Sequence, residues 1–263
     1  QYCGIFEAKA GGVIYYLIDN EYYFKRNTLY GHYDDGERFA FFSRAVLEIL
    51  PYIDFKPDII HCNDWQSALV PIYYTAIYGK KEGYTGIKTV FTIHNIQYQG
   101  KYGNEILGDL FGLGEECAPL LQFGDCLNLM KGGIETAHAV NTVSPTYAKE
   151  IQTAQYAHGL QDIICKNSFK LTGILNGIDV DSYNPEKDKA LFAAYGPENL
   201  ENKKICKSEL QKMLGLPVKN VPIIAMITRL VSHKGLDLVE CVLEEIIAKD
   251  TATVDVDVCI LPC

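Results

Sequence analysis

Thr89, Val90, Phe91, Thr92 and Ile93 follow one another without polar alternation, and each is β-branched or aromatic. A run of this kind suits a strand covered on both faces, which is the condition of a strand inside a parallel sheet. Open parallel sheets bind ligands just beyond the carboxyl ends of their strands. His94 and Asn95, the first side chains past this strand, are therefore candidate site residues. Taken alone, His94 reads more readily as a strand cap bonded to nearby backbone. Three other predicted strands end in the same way: residues 57–62 run into Asn63 and Asp64, residues 139–143 into Ser144, and residues 171–179 break at Asn176-Gly177. Polar groups gathered at one edge of a sheet form a site.

The remaining elements fit an α/β chain. Residues 2–9 and 13–18 read as a hairpin turning at Ala10-Gly11-Gly12, where glycine tolerates positive φ. Residues 19–35 are aromatic and polar without period and read as a loop. Asp34, with Glu37 three residues on, predicts a capping box opening a helix over 35–50 that Pro51 stops, with Phe39, Phe42, Val46, Ile49 and Leu50 inward. Asn63 or Asp64 is placed to cap a helix over 67–78, where Trp65 is a core or rim anchor. Residues 95–130, rich in glycine and aromatics, suggest a mobile substrate-facing loop with short helical pieces. A helix over 131–137 comes next, and Ser144-Pro145 opens another with an N-cap and a proline at N1.

After a helix over 205–214, residues 215–220 read as an inter-domain connection, giving one domain over 1–219 and the start of a second over 220–263. The second begins as a strand over 222–228, a turn over 229–234, a helix over 235–249 with Leu236, Val239, Val242, Leu243 and Ile246 inward, and a strand over 254–261. Arg229 and Lys234 flank that helix's N-terminus directly after a strand. Two cations, free N–H groups and the positive dipole end make an anion site. So few elements would leave apolar surface and strand edges exposed in the second domain, and poor solubility is expected.

A net charge of −9, a pI near 5.2 and the absence of any basic run argue against nucleic acid as a partner. No apolar stretch is long enough to span a bilayer and no secretory segment opens the chain, so neither membrane nor export is indicated and the cytoplasm is the expected compartment. Nine scattered cysteines with no C-x-x-C pair read as reduced thiols. The first residue is Gln1 rather than methionine and the last stretch reads as a strand with nothing after it, the appearance of a fragment.

Five motifs occur in order: Asp58-Ile-Ile-His-Cys-Asn-Asp-Trp65; Phe91-Thr-Ile-His-Asn95 with Tyr98-Gln-Gly100; Thr142-Val-Ser-Pro-Thr-Tyr147; Ile174-Leu-Asn-Gly-Ile-Asp179; and Thr228-Arg-Leu-Val-Ser-His-Lys-Gly-Leu-Asp237. With Glu37 to Arg44 and Asn128 to Ile134 they span nearly the whole chain. By these motifs the chain resembles the bacterial glycogen synthase and plant starch synthase family. The resemblance implies two Rossmann-like domains (GT-B type), the first nearly complete and the second truncated. It implies a retaining glucosyltransferase carrying glucose from ADP-glucose to the non-reducing end of an α-1,4-glucan such as glycogen, without metal or other cofactor. By motif match His94 would hydrogen-bond the donor glucose, Asn176 and Asn95 would contact the donor, and Asp64 would order the cleft. Arg229 and Lys234 would hold the diphosphate and neutralise departing ADP, placing positive charge where negative charge develops.

The family's lysine and glycine-rich donor loop and its C-terminal glutamate do not occur in these residues, so this chain is expected to be inactive alone. Gln66 stands where the family commonly has His, and His233 where it often has Gln. Two other readings compete. Asp179-Val-Asp181 and Asp255-Val-Asp257 suggest a metal-dependent transferase in which paired carboxylates hold a divalent ion. The 18 tyrosines suggest a glucan-binding remnant without catalysis.

Overall fold

The computed structural model describes residues 1–231 and 234–248. The chain divides into two compact units, Gln1–Asn176 and Gly177–Cys263. The first opens on an antiparallel hairpin, β1 (Gly4–Ala10) and β2 (Val13–Asp19), with Ala10 paired to Val13. Gly11 and Gly12, at φ +58° and +78°, make the two-residue connection. Positive φ at both positions matches the twist of the flanking strands, and glycine adopts it without strain.

Residues 19–35 are not wholly irregular. Asn20 caps a single turn, α1 (Glu21–Phe24), by accepting from Tyr23 N–H. The long helix α2 (Asp35–Glu48) begins after Asp34, but the expected capping box does not form. Asp34 is drawn to Arg26 at 2.5 Å and Glu37 accepts from the Tyr23 hydroxyl at 2.8 Å. Both carboxylates thus serve the segment around α1. Asp35 instead accepts from Gly31 N–H and His32 N–H and pairs with buried Arg38. The buried face of α2 is correspondingly shifted from the apolar stripe: Arg38, Ala40, Ser43, Ala45 and Leu47 are buried, whereas Phe39, Phe42, Val46 and Leu50 are half-buried. Small residues let the helix lie close to its neighbours while the larger rings fill the flanks. A 3-10 turn containing Pro51 ends it.

The centre of the unit is a four-stranded parallel sheet in the order β3 (Ile59–Asn63), β4 (Lys88–Ile93), β8 (Ala139–Thr142), β9 (Leu171–Gly173). As the unbroken apolar run predicts, β4 is interior, with Thr89, Phe91, Thr92 and Ile93 buried. Between β3 and β4 the chain forms a 3-10 turn over Trp65–Ser67, α3 (Leu69–Tyr73) and a π turn over Tyr74–Tyr78.

Residues 95–130 fold into a packed subassembly rather than a mobile loop. β5 (Lys101–Tyr102), β6 (Gln122–Phe123) and β7 (Cys126–Asn128) form a small antiparallel sheet, flanked by α4 (Ile106–Asp109) and α5 (Ala118–Leu121). Leu107, Phe111, Leu113, Leu121 and Leu127 are buried in the common core. Strands of two or three residues are too short to leave a periodic signal.

Helix α6 (Leu129–Thr136) packs on β4 and α3 through glycine. A Cβ on Gly133 would lie 2.9 Å from the Phe91 ring, and one on Gly132 would lie 2.6 Å from Ile72 Cδ1. Lys131, buried on the same helix, donates to the carbonyls of Pro119 and Leu120 and to Glu135. Burial pushes the Glu135 carboxyl up, but the ammonium groups of Lys131 and Lys166 outweigh it and hold it below its ordinary value. Ser144 caps α7 (Pro145–Glu150) from Tyr147 N–H at 2.8 Å, as expected; α8 (Gln161–Lys166) leads to β9.

In the second unit α9 (Asn202–Met213) and α10 (Leu236–Ala248) are helical. The expected strand over 222–228 has no ladder partner among the described residues, and strand structure exists only through pairing. The strand expected over 254–261 lies outside the described residues. On α10, Leu236, Val239 and Leu243 are half-buried but Val242 is exposed, and the side chain of Ile246 is outside the described set. Ile224, Ile227, Leu230, Leu238 and Val242 are exposed, the apolar surface anticipated for residues 220–263.

Candidate functional site

Because β3, β4, β8 and β9 are parallel, their carboxyl ends share one edge of the sheet. Asp64, His94, Asn95 and Ser144 lie directly past the first three, and Asn176 lies three residues past β9. His94 is exposed there, not sealed in the core, and Asn176 is exposed as well.

Asp64 does not cap the next helix. Its backbone sits at φ +55°, ψ −178°, a region that L side chains rarely adopt, and its carboxylate makes no cap bond. Asp64 Oδ1 instead accepts from His94 N–H at 2.8 Å. Asp64 N–H in turn donates to Thr92 O at 2.9 Å, which extends the β3–β4 ladder into the turn. A side chain held at such a φ costs on the order of 1–3 kcal/mol and persists only where surrounding contacts over-determine it. The contacts are visible: Ser67 Oγ bonds both N–H and C=O of Asn63, at 2.6 and 2.8 Å.

The imidazole is held separately, with His94 Nε2 3.0 Å from Asn63 Oδ1. Asn63 pairs with Thr92 across the sheet, so Asn63, Thr92 and His94 share a parity and lie on the face opposite Phe91 and Ile93. Asn95 Oδ1 accepts from Gln97 N–H at 3.0 Å and shapes its own turn. Beyond it, Ile96 N–H donates to the Tyr147 hydroxyl at 3.2 Å. Burial pushes that phenol above its ordinary value, which keeps it neutral.

Gln99 completes the attachment. Its Nε2 donates to Ile96 O and His158 O, its Oε1 accepts from Asn128 Nδ2, and its carbonyl accepts from Met130 N–H at the start of α6. Gly100, at φ +62°, leaves room for the indole: a Cβ there would lie 2.6 Å from Trp65 Cε3. Trp65 packs edge-on against Phe39 at 5.1 Å, the rim anchor expected of it. Asn63, Ser67, Tyr147 and Gln99 were not singled out by sequence reasoning as supports of the site. They act through contacts 3 to 59 residues away, and only the Asn63–Ser67 and Gln99–Ile96 pairs, four and three residues apart, are local.

Arg229 and Lys234 belong to the second unit. Both are exposed, with Lys234 two residues before the first residue of α10 and its N–H donating to Val231 O at 3.0 Å. Gly235, at φ +68°, lies between Lys234 and the helix. Asp179 is occupied locally: Asp181 N–H, Ser182 N–H and Ser182 Oγ all donate to it, and these bonds hold its carboxyl below the ordinary value. That explains Asp179-Val-Asp181 as a turn. Asp255 and Asp257 lie outside the described residues.

The first unit thus presents an imidazole, a carboxylate and amides on a rigid strand edge, a set suited to hydrogen-bonding a polyhydroxylated ligand. The family profile for the starch synthase catalytic domain matches residues 1–166. The glycogen synthase of Geobacillus thermodenitrificans is 50% identical over 253 residues, covering 95% of this chain and 52% of that protein. That of Clostridium kluyveri is 47% identical over 252 residues, covering 95% and 53%. The solved catalytic domain of starch synthase IV from Arabidopsis thaliana, bound to ADP and acarbose, superposes with a TM-score of 0.84 at 37% identity, covering 94% of this chain and 52% of that one. The chain spans about half the length of the curated relatives it matches. The resemblance read from the five motifs and the α/β architecture of GT-B type both stand on these findings, and the chain belongs to the glycogen and starch synthase family.

Proposed function

We propose that the protein to which this chain belongs is a glycogen synthase, a retaining hexosyltransferase that carries glucose from ADP-glucose to the non-reducing end of an α-1,4-glucan. Supporting this reading most directly is the Asp64–His94–Asn63 arrangement at the carboxyl edge of a parallel sheet in a chain of this family. ADP is preferred as the nucleotide because the Arabidopsis relative was solved with ADP, and a glucan as acceptor because the same structure holds acarbose. In this reading residues 1–219 form the acceptor-side domain and residues 220–263 begin the nucleotide-sugar domain. His94, Asn95 and Asn176 contact the donor sugar, and Asp64 orders the His94 turn. Arg229 and Lys234 take the diphosphate, where fixed positive charge stabilises the leaving group. The compartment is the cytoplasm; among the described residues no helix is long and apolar enough to cross a membrane.

The 263 residues hold neither the family's lysine–glycine loop nor its later glutamate, and alone they are expected to bind glucan weakly without turnover. Radiolabelled transfer from ADP-glucose to glycogen tests both statements. The full-length enzyme transfers and His94→Ala reduces turnover by about 100-fold or more, the scale of removing one preorganised hydrogen-bonding group. Unaltered turnover in His94→Ala overturns the site, and transfer by the 263-residue chain overturns the claim of inactivity.

A further inference from the structure

We propose that Asn63 is the positioning residue for the His94 imidazole, fixing its tautomer and ring plane, while Asp64 fixes only the His94 backbone. The two attachments are geometrically distinct. Asp64 Oδ1 takes the main-chain N–H at 2.8 Å, which sets where the turn runs but leaves χ1 and χ2 of His94 undetermined. Asn63 Oδ1, 3.0 Å from Nε2, reaches the ring itself.

An amide oxygen only accepts, so Nε2 carries the proton. Nδ1 is then the lone-pair nitrogen, and His94 receives a hydrogen bond from a ligand hydroxyl through it instead of donating one. In a neutral imidazole the partner of one nitrogen decides the chemistry of the other. The Asn63 main chain is fixed by its N–H, which donates to Ser67 Oγ, by its carbonyl, which accepts from that hydroxyl, and by its ladder position opposite Thr92. Ser67 thus sets the backbone from which the Asn63 amide reaches the ring. Of the charged side chains among the described residues, Asp64 alone hydrogen-bonds to this turn, and it does so through the backbone.

That His94 serves a sugar hydroxyl rests on the proposed function; the tautomer does not, and the two are separable. Ring 15N and 13C resonances of this chain, with His94 assigned by its loss in His94→Ala, report the tautomer directly. The unmodified chain is expected to show a single Nε2–H form at His94 and Asn63→Ala a mixture of both. Asn63→Leu, which keeps the volume and removes the acceptor, is expected to show the same mixture, and Asn63→Asp, whose carboxylate still accepts, to retain the Nε2–H form. If Asn63→Ala does not fold, Asn63→Leu decides on the same resonances. A single Nε2–H form in Asn63→Ala or in Asn63→Leu overturns the proposal. In the full-length enzyme Asn63→Ala is expected to lower kcat about tenfold, the scale of one lost hydrogen bond, with KM for the glucan unchanged. A shifted tautomer with normal transfer in both Asn63→Ala and His94→Ala supports the positioning and overturns the functional reading alone.

Discussion

The turn after β4 and the turn after β9 both leave the same parallel sheet at the same edge, yet they are built differently. β4 is an interior strand with a neighbour on either side, and its exit through His94 to Gly100 is tied to Asn63, Asp64, Tyr147, Asn128 and Met130. β9 is an edge strand of three residues. Past the bond from Ile174 N–H to Thr142 O it runs through exposed Ile174, Leu175 and Asn176. A strand with two neighbours has ladder partners and adjoining turns on both sides to fix the residues after it; a strand with one has half as many. The site is thus preorganised at its centre and loosely held at its rim.

Substituting Gly100 is expected to have the largest effect on this contrast. Gly100→Ala places a Cβ 2.6 Å from the Trp65 ring at a φ of +62°, so both strain and overpacking apply, at about 2–4 kcal/mol together. Chemical denaturation of the 263-residue chain measures it. Asn176→Ala, at the loosely held rim, should stay within about ±0.5 kcal/mol. Equal losses at the two positions would erase the distinction between them.

Asp64→Gly sharpens the comparison from within the rigid turn. Glycine relieves the backbone at φ +55° but removes the acceptor for His94 N–H, so stability should change by no more than about 1 kcal/mol. Turnover in the full-length enzyme should nevertheless fall by about tenfold or more, the scale of one lost hydrogen bond. A large loss of stability would show that the carboxylate holds the fold, not the site.

The smallest effect lies at the opposite end of β4. There Thr89 N–H donates to His138 Nδ1 at 3.1 Å, and His138 N–H returns to Thr89 O at 3.0 Å. Burial, then the ammonium groups of Lys88 and Lys170, holds the His138 imidazolium below its ordinary value of 6.5. A depressed folded value means the unfolded chain takes the proton first. The contribution is therefore complete above about pH 6.5 and is lost as the pH falls through the lower folded value. Denaturation midpoints measured from about pH 7.5 to about pH 5 should decline, and His138→Gln should flatten the slope. An identical slope in the variant would show that His138 is not the titrating group.

Much of this organisation was legible in the residues because its signals are local. Two glycines between apolar runs announce the hairpin, five unbroken β-branched and aromatic positions announce β4, and Ser144-Pro145 announces α7. The illegible part depends on partners remote in the chain. Asp34 and Glu37 have the spacing of a capping box, but Arg26 and Tyr23 claim them. Asp64 has the position of an N-cap, but the N–H of His94, thirty residues on, claims it. The short strands over residues 101–128 leave no period at all. At the site the chemistry-bearing residues were visible as strand-end polar groups, whereas their supports were not, since a tyrosine bonded 51 residues away carries no mark of that role.

Asp64 also limits how this protein is re-engineered. Most positions offer a graded series of replacements between stability and activity, and this one offers none. The main chain there favours the one residue without a side chain, and the His94 N–H requires an oxygen acceptor on a short side chain, so no amino acid satisfies both. Stabilising redesign is better directed at the neighbours that hold Asp64 in place, Ser67 among them, than at the position itself.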